Sequence, residues 1–125
     1  VMCSKEMYRE FIVYELEQQV EWLEYPVYHF DSGEQEQHLD YILGLKKLKA
    51  IQWTHVAGQP PASHYLHILK RMQGAGKALI IMAPPSDVPI LLEHLSGKGL
   101  YIHTETEEME SAKEIIKYVE KHGKE

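Results

Sequence analysis

The chain contains a single cysteine in 125 residues, so no internal disulfide can form and nothing calls for an oxidising compartment. No apolar run approaches the roughly 20 residues of a membrane-spanning helix. The first residues lack the basic segment and following apolar stretch of a secretory signal. Positive charge is scarce: 13 Lys and Arg stand against 19 Asp and Glu, a formal net charge of −6. A domain that grips nucleic acid through its phosphates usually shows a basic stripe instead. Also missing are a phosphate-binding loop, a dinucleotide fingerprint, a nucleophile elbow and a Cys-x-x-Cys pair. Gly74-x-Gly76 falls between a helical and a strand-like run, the wrong order for nucleotide binding, and Cys3 lies far in sequence from any strand end. The chain is also too short for a complete eight-stranded α/β barrel, which takes about 250 residues. These absences lead us to expect a soluble cytoplasmic domain with no nucleic-acid or membrane partner.

What is present is an ordinary globular balance, 44% hydrophobic and 26% charged, in a length suited to one domain, residues 1–125, with a core of its own. Ser4 is placed to cap a helix from about Lys5 to Glu24, in which Val13, Leu16, Val20 and Leu23 form an apolar stripe. A strand over residues 25–30 follows, and Asp31-Ser32-Gly33 supplies turn and capping chemistry for a helix over about 34–45. Lys49–Thr54 reads as the second strand, ahead of a loop that reaches Pro61, and a helix over about 63–73 ends at Gly74 and Gly76. The run 77–83 is nearly all apolar, which predicts a strand covered on both faces. A short helix from Ser86-Asp87 to about Gly97 precedes the last strand, 99–103. Thr104 and Glu107 suggest a capping box for a final helix that buries Met109, Ala112, Ile116 and Val119. The order is one helix, then four β-α units, which predicts an α/β fold with a parallel sheet and right-handed crossovers.

Ligands of parallel α/β folds bind at the carboxyl ends of the strands, where helix N-termini and free amides converge. The residues expected there are His29 and Asp31; Thr54, His55 and Gln59; Met82 and Pro84; and His103, Thr104 and Glu105. His29 and Asp31, two apart on one strand, point to the same face. Such a pair can share a divalent metal, with His103 as a third ligand, or work as an acid–base pair; Asp31 is equally well placed as a plain helix cap. The candidate metal ligands are therefore His29, Asp31 and His103, and the candidate catalytic groups Asp31 and His103. If Ile51 and Trp53 face the covering helices, Gln52 and Thr54 face the other way, and with His55 and Gln59 they are the candidate substrate contacts. His38, His64, His67, His94 and His122 fall on helical stretches among polar neighbours and are expected to be solvated.

Several stretches resemble the C-terminal half of the uroporphyrinogen decarboxylase superfamily: Met7-Tyr8-Arg9-Glu10-Phe11, Glu21-Trp22-Leu23-Glu24-Tyr25, Tyr28-His29-x-Asp31 and His38-Leu39-Asp40. Leu48-Lys49-Ala50-Ile51-Gln52-Trp53, Ala57-Gly58-Gln59-Pro60-Pro61 and Gly99-Leu100-Tyr101-Ile102 extend the likeness over nearly the whole chain. It is strongest toward members close to the corrinoid-dependent methyltransferases. The resemblance implies the last four β/α units of a TIM (β/α)8 barrel. It also implies a partial active site, zinc or another divalent metal, and a corrinoid or tetrapyrrole as substrate-side partner. In the methyltransferase branch a histidine and a cysteine one residue apart bind zinc, with a further cysteine from a later strand end. Here His29 takes the first place and Asp31 the second, and His103-Thr104-Glu105 near the third holds no cysteine. That donor set is harder than a thiolate one. A tetrapyrrole carboxy-lyase relative and a non-catalytic binding half-barrel are the alternatives. Four parallel strands cannot close on themselves, so the expected partner is a second copy or a missing N-terminal half, with a corrinoid protein as a further candidate.

Overall fold

Ser4 caps the first helix as its sequence predicts: its Oγ accepts from the Met7 backbone N–H at 3.2 Å. The structure, a computed structural model, describes residues 3–31 and 33–123; Ser32 of the predicted turn lies outside them. Helix α1 covers residues 5–22, with a wider π-type turn over Arg9–Val13 between regular α-helical stretches. Strand β1 (Val27–Asp31) leads through a 3-10 segment, Gly33–His38, into α2 (Leu39–Leu43). Strand β2 (Ala50–Thr54) leads through Ala62–Tyr65 into α3 (Leu66–Gly74), and β3 (Ala78–Met82) through Pro85–Asp87 into α4 (Val88–His94). Strand β4 (Leu100–His103) and α5 (Met109–His122) complete the described chain.

The four strands form one parallel sheet in the order β1-β2-β3-β4. Right-handed crossovers between strands laid down consecutively carry every connecting helix to the same side of the sheet. Burial follows that rule. Phe30, Ile51, Trp53, Leu79 and Ile81 alternate along the strands onto one face and are buried beneath Leu39, Ile42, Ile68, Leu69, Met72 and Leu91 of the helices. Each fully buried side chain of this size stabilises the fold by roughly 1.5–3 kcal/mol. Trp53 stacks on Phe30 at 5.5 Å and meets Tyr65 at 5.0 Å, so it is core, as its strand position predicts. The opposite face has no helix on it. It carries Val27, His29 and Asp31 of β1, Ala50, Gln52 and Thr54 of β2, Ala78, Ile80 and Met82 of β3, and Tyr101 and His103 of β4.

Several expectations fail for definite reasons. The run 77–83 is not covered on both sides, since Ile80 is half-buried and Met82 exposed on the bare face. The capping box does not form: Glu108 precedes α5 without a side-chain cap, and the Thr104 hydroxyl is buried with no partner. Among the described residues of α5 none is buried, and Met109, Ile116 and Val119 are exposed. A cleft of about 510 Å³ separates α5 from α4 and β4, so Ile116 and Val119 of the stripe expected in the core line an opening instead. His38, expected in water, is fully buried.

Candidate functional site

The carboxyl end of the bare face gathers polar side chains because strand alternation puts every second residue there. In register, His29 stands opposite Gln52, which stands opposite Ile80, which stands opposite Tyr101. One step toward the rim, Asp31 stands opposite Thr54, and Met82 opposite His103. His29 Nδ1 lies 3.1 Å from Gln52 Oε1, an acceptor, so in that contact Nδ1 carries the proton; the Thr54 hydroxyl lies 3.3 Å from both ring nitrogens, of which Nε2 is then the one free to accept from it. The predicted contacts Gln52 and Thr54 are thus brought onto His29, and the three fix the imidazole across two strands.

Asp31 is exposed, and its carboxylate makes no hydrogen bond among the described residues, neither as a cap nor with His29. His103 stands on β4, at the opposite edge of the sheet. Three strand spacings, about 14 Å in a flat sheet, separate that edge from β1. The carboxylate that orients His103 is Glu105, two residues on, with Oε1 3.0 Å from Nε2. Sequence spacing pointed to Asp31 because strand ends were compared without the sheet order that separates them.

A second cleft, of about 410 Å³, opens beside His103 at the carboxyl ends of β2, β3 and β4. His55 and Pro61 form one wall, Pro84 and Pro85 another, and His103, Thr104 and Glu105 the third, with Met82 at the base. His55 and His103, predicted separately, therefore face one space. Gln59 does not line it and is held in the tight turn closed by its own N–H to the Val56 carbonyl at 3.0 Å. Asp87 keeps the cleft in shape. Its buried carboxylate accepts from the Ser63 N–H at 3.0 Å and from the Ser63 hydroxyl at 2.6 Å, tying the segment after Pro61 to the segment after Pro84.

The His29–Asp31–His103 metal triad is not assembled, and among the described residues no group of three His, Cys, Asp or Glu side chains is close enough to hold an ion. The donors are also committed elsewhere, His29 to Gln52 and Thr54 and His103 to Glu105. This set does not fit a three-ligand zinc site. What the rim can do is orient an imidazole with a carboxylate and present it to a bound molecule, the arrangement general acid–base transfer needs. Tyr101, 60% exposed on the bare face in the same row as His29, is a further candidate contact that was not singled out from the sequence; its equal strand parity with His103 was the available signal. No protein family, curated protein or solved structure matches the chain. Among the described residues no helix is long and apolar enough to cross a membrane.

Proposed function

We infer that this chain is the C-terminal four-unit portion of a (β/α)8 barrel of the uroporphyrinogen decarboxylase type, binding an organic ligand over the carboxyl rim of the bare face. One observation carries the reading. The strands run in unbroken order with all their helices on one side, and polar groups cluster at the carboxyl end of the other side. Doubly wound sheets reverse their strand order and take helices on both faces; a barrel wall does neither. The bare face supports it further, since Ile80 and Met82 are apolar side chains left without a helix to cover them.

The half that covers this face is, in our reading, four further parallel strands rather than a second copy. Among the described residues five helical segments flank four strands, so two copies would set ten helices around eight strands. Helix α1 already stands beside β1, its Tyr8 hydroxyl 2.8 Å from that of Tyr28. It occupies the place of a crossover arriving from a strand next to β1.

Acid–base work by His103 with Glu105 suits the carboxy-lyase branch, and the absent donor triad removes support from zinc–thiolate methyl transfer. Quenching of protein fluorescence by a porphyrin and by a corrinoid tests the ligand reading. Saturable quenching by either, weakened by Tyr101→Ala and His103→Ala, is expected. Linear, unsaturable quenching that neither substitution changes overturns it. A corrinoid preference would return the methyl-transfer reading to first place.

A further inference from the structure

The opposite end of the sheet holds the feature least expected of a chain with net charge −6. A cleft of about 400 Å³ opens at the amino ends of β2, β3 and β4, between the end of α3 and the turn before β4. Lys49, Lys77 and Lys98 all line it, together with Gln73, Ser96 and glycines, and no carboxylate does. Among the described residues neither Lys49 nor Lys98 has an ion-pair partner.

We propose that this cleft is a binding site for a phosphate-class anion, separate from the rim and independent of the reading given to it. Lys77 is its fixed element. Its side chain is only 7% exposed, and its Nζ donates to the Leu45 and Leu48 carbonyls at 2.8 and 3.0 Å. An ammonium has three donors, so one N–H is left over from those two bonds. The walls are built as well. Gln73 grips Ser96 reciprocally, donating to its carbonyl at 2.7 Å and accepting from its N–H at 3.0 Å, and the Ser96 hydroxyl takes the Lys98 N–H at 3.2 Å. Gly99, at φ +68, brings the turn close against Ala78, where a Cβ would meet the alanine Cβ at 3.3 Å.

The ammonium groups of Lys49 and Lys77 repel each other, and Lys98 adds a third positive charge to the lining. Burial, and after it the charge of Lys49, hold Lys77 below the ordinary lysine range. A dianion seated among them reverses that repulsion and gains charge-assisted hydrogen bonds. Phosphate fits better than a monoanion because its several oxygens and double charge can meet more than one lysine at once.

The test is a titration of the 125-residue chain with inorganic phosphate, and separately with pyrophosphate, followed by amide NMR shifts at constant ionic strength. Saturable shifts centred on Gly76, Lys77, Lys98 and Gly99 are expected. Lys49→Ala and Lys98→Ala, both at exposed positions, should each weaken binding about fivefold, the upper range for an exposed charge pair. Lys113→Ala on α5 should leave it unchanged. Shifts spread over lysine-rich surfaces at large, or affinities equal in all three variants, overturn the site and leave only a diffuse ionic atmosphere. Because neither Lys49 nor Lys98 carries the fold, the outcome does not depend on whether Lys77→Met still folds.

Discussion

His38 shows what one buried side chain can impose. Its ring lies flat on Tyr8, centroids 3.9 Å apart, and among the described residues neither nitrogen has a hydrogen-bond partner. Burial holds its pKa below the ordinary value, so as pH falls the unfolded chain takes up the proton before the folded one does. Stability from this site is therefore complete above about pH 7 and is lost as pH drops through about 6.5. His38→Phe keeps a ring on Tyr8 and removes the liability; urea melts from pH 8 to pH 5 should show a smaller decline than in the parent chain. Asp87 is the converse case, a buried carboxylate with both partners in place. Asp87→Ala should cost about 1–3 kcal/mol by strandling the Ser63 donors, while Ser63→Ala, which keeps the backbone N–H bond, should cost less in the same melts. Neither residue was legible in the sequence. His38 looked solvated because helical periodicity sees only its own segment, whereas the ring that buries it comes from Tyr8, thirty positions earlier. Asp87 looked like a helix opener, and its real partner lies on the preceding crossover.

Elements were more legible than side chains. All four strands fall within a residue or two of their expected bounds, because each is a short run rich in apolar, β-branched or aromatic residues bounded by loop or turn chemistry. Helix starts were poorer: residues 33–38, 62–65 and 85–87 are 3-10 turns that feed short α-helices, and apolar periodicity does not distinguish these. Which face of β3 is covered could not be read from a run in which every residue is apolar. Adjacent residues there make a direct check. Ile81→Ala, beneath the helices, should cost about 2–5 kcal/mol, while Ile80→Ala, on the bare face, should cost less than about 1 kcal/mol in the same denaturation assay. Equal losses would mean that the two faces are equally covered. Helix α5, with none of its described residues buried, should exchange its backbone amides well before β2 and β3 in hydrogen-exchange measurements. Its amphipathic pattern predicted a docked helix, and the cleft beneath it shows the docking to be incomplete.

At the scale of the whole molecule, parallel strands in β-α order were legible because the alternation of element types leaves few topologies. The rim residues were legible as a group, since strand ends mark the ligand side of any such sheet; their partners were not, because pairing His103 with Glu105 rather than Asp31 requires knowing which strands are edges. An uncovered face should also be visible in solution. The isolated chain should bind an apolar fluorescent dye, and Ile80→Lys should lower the signal while moving the melting midpoint little. A monodisperse dimer by light scattering, with no dye binding, would show instead that two copies cover each other despite their surplus helices.

The two outer strands have a consequence for handling the protein. Each adds its neighbour's geometry back to the border it occupies, so a copy joined at β4 presents a fresh β4 of its own, and growth by that route has no built-in end point. Helix α1 packs in the helix layer, on Tyr28 and His38, and so leaves the outer edge of β1 as open as that of β4.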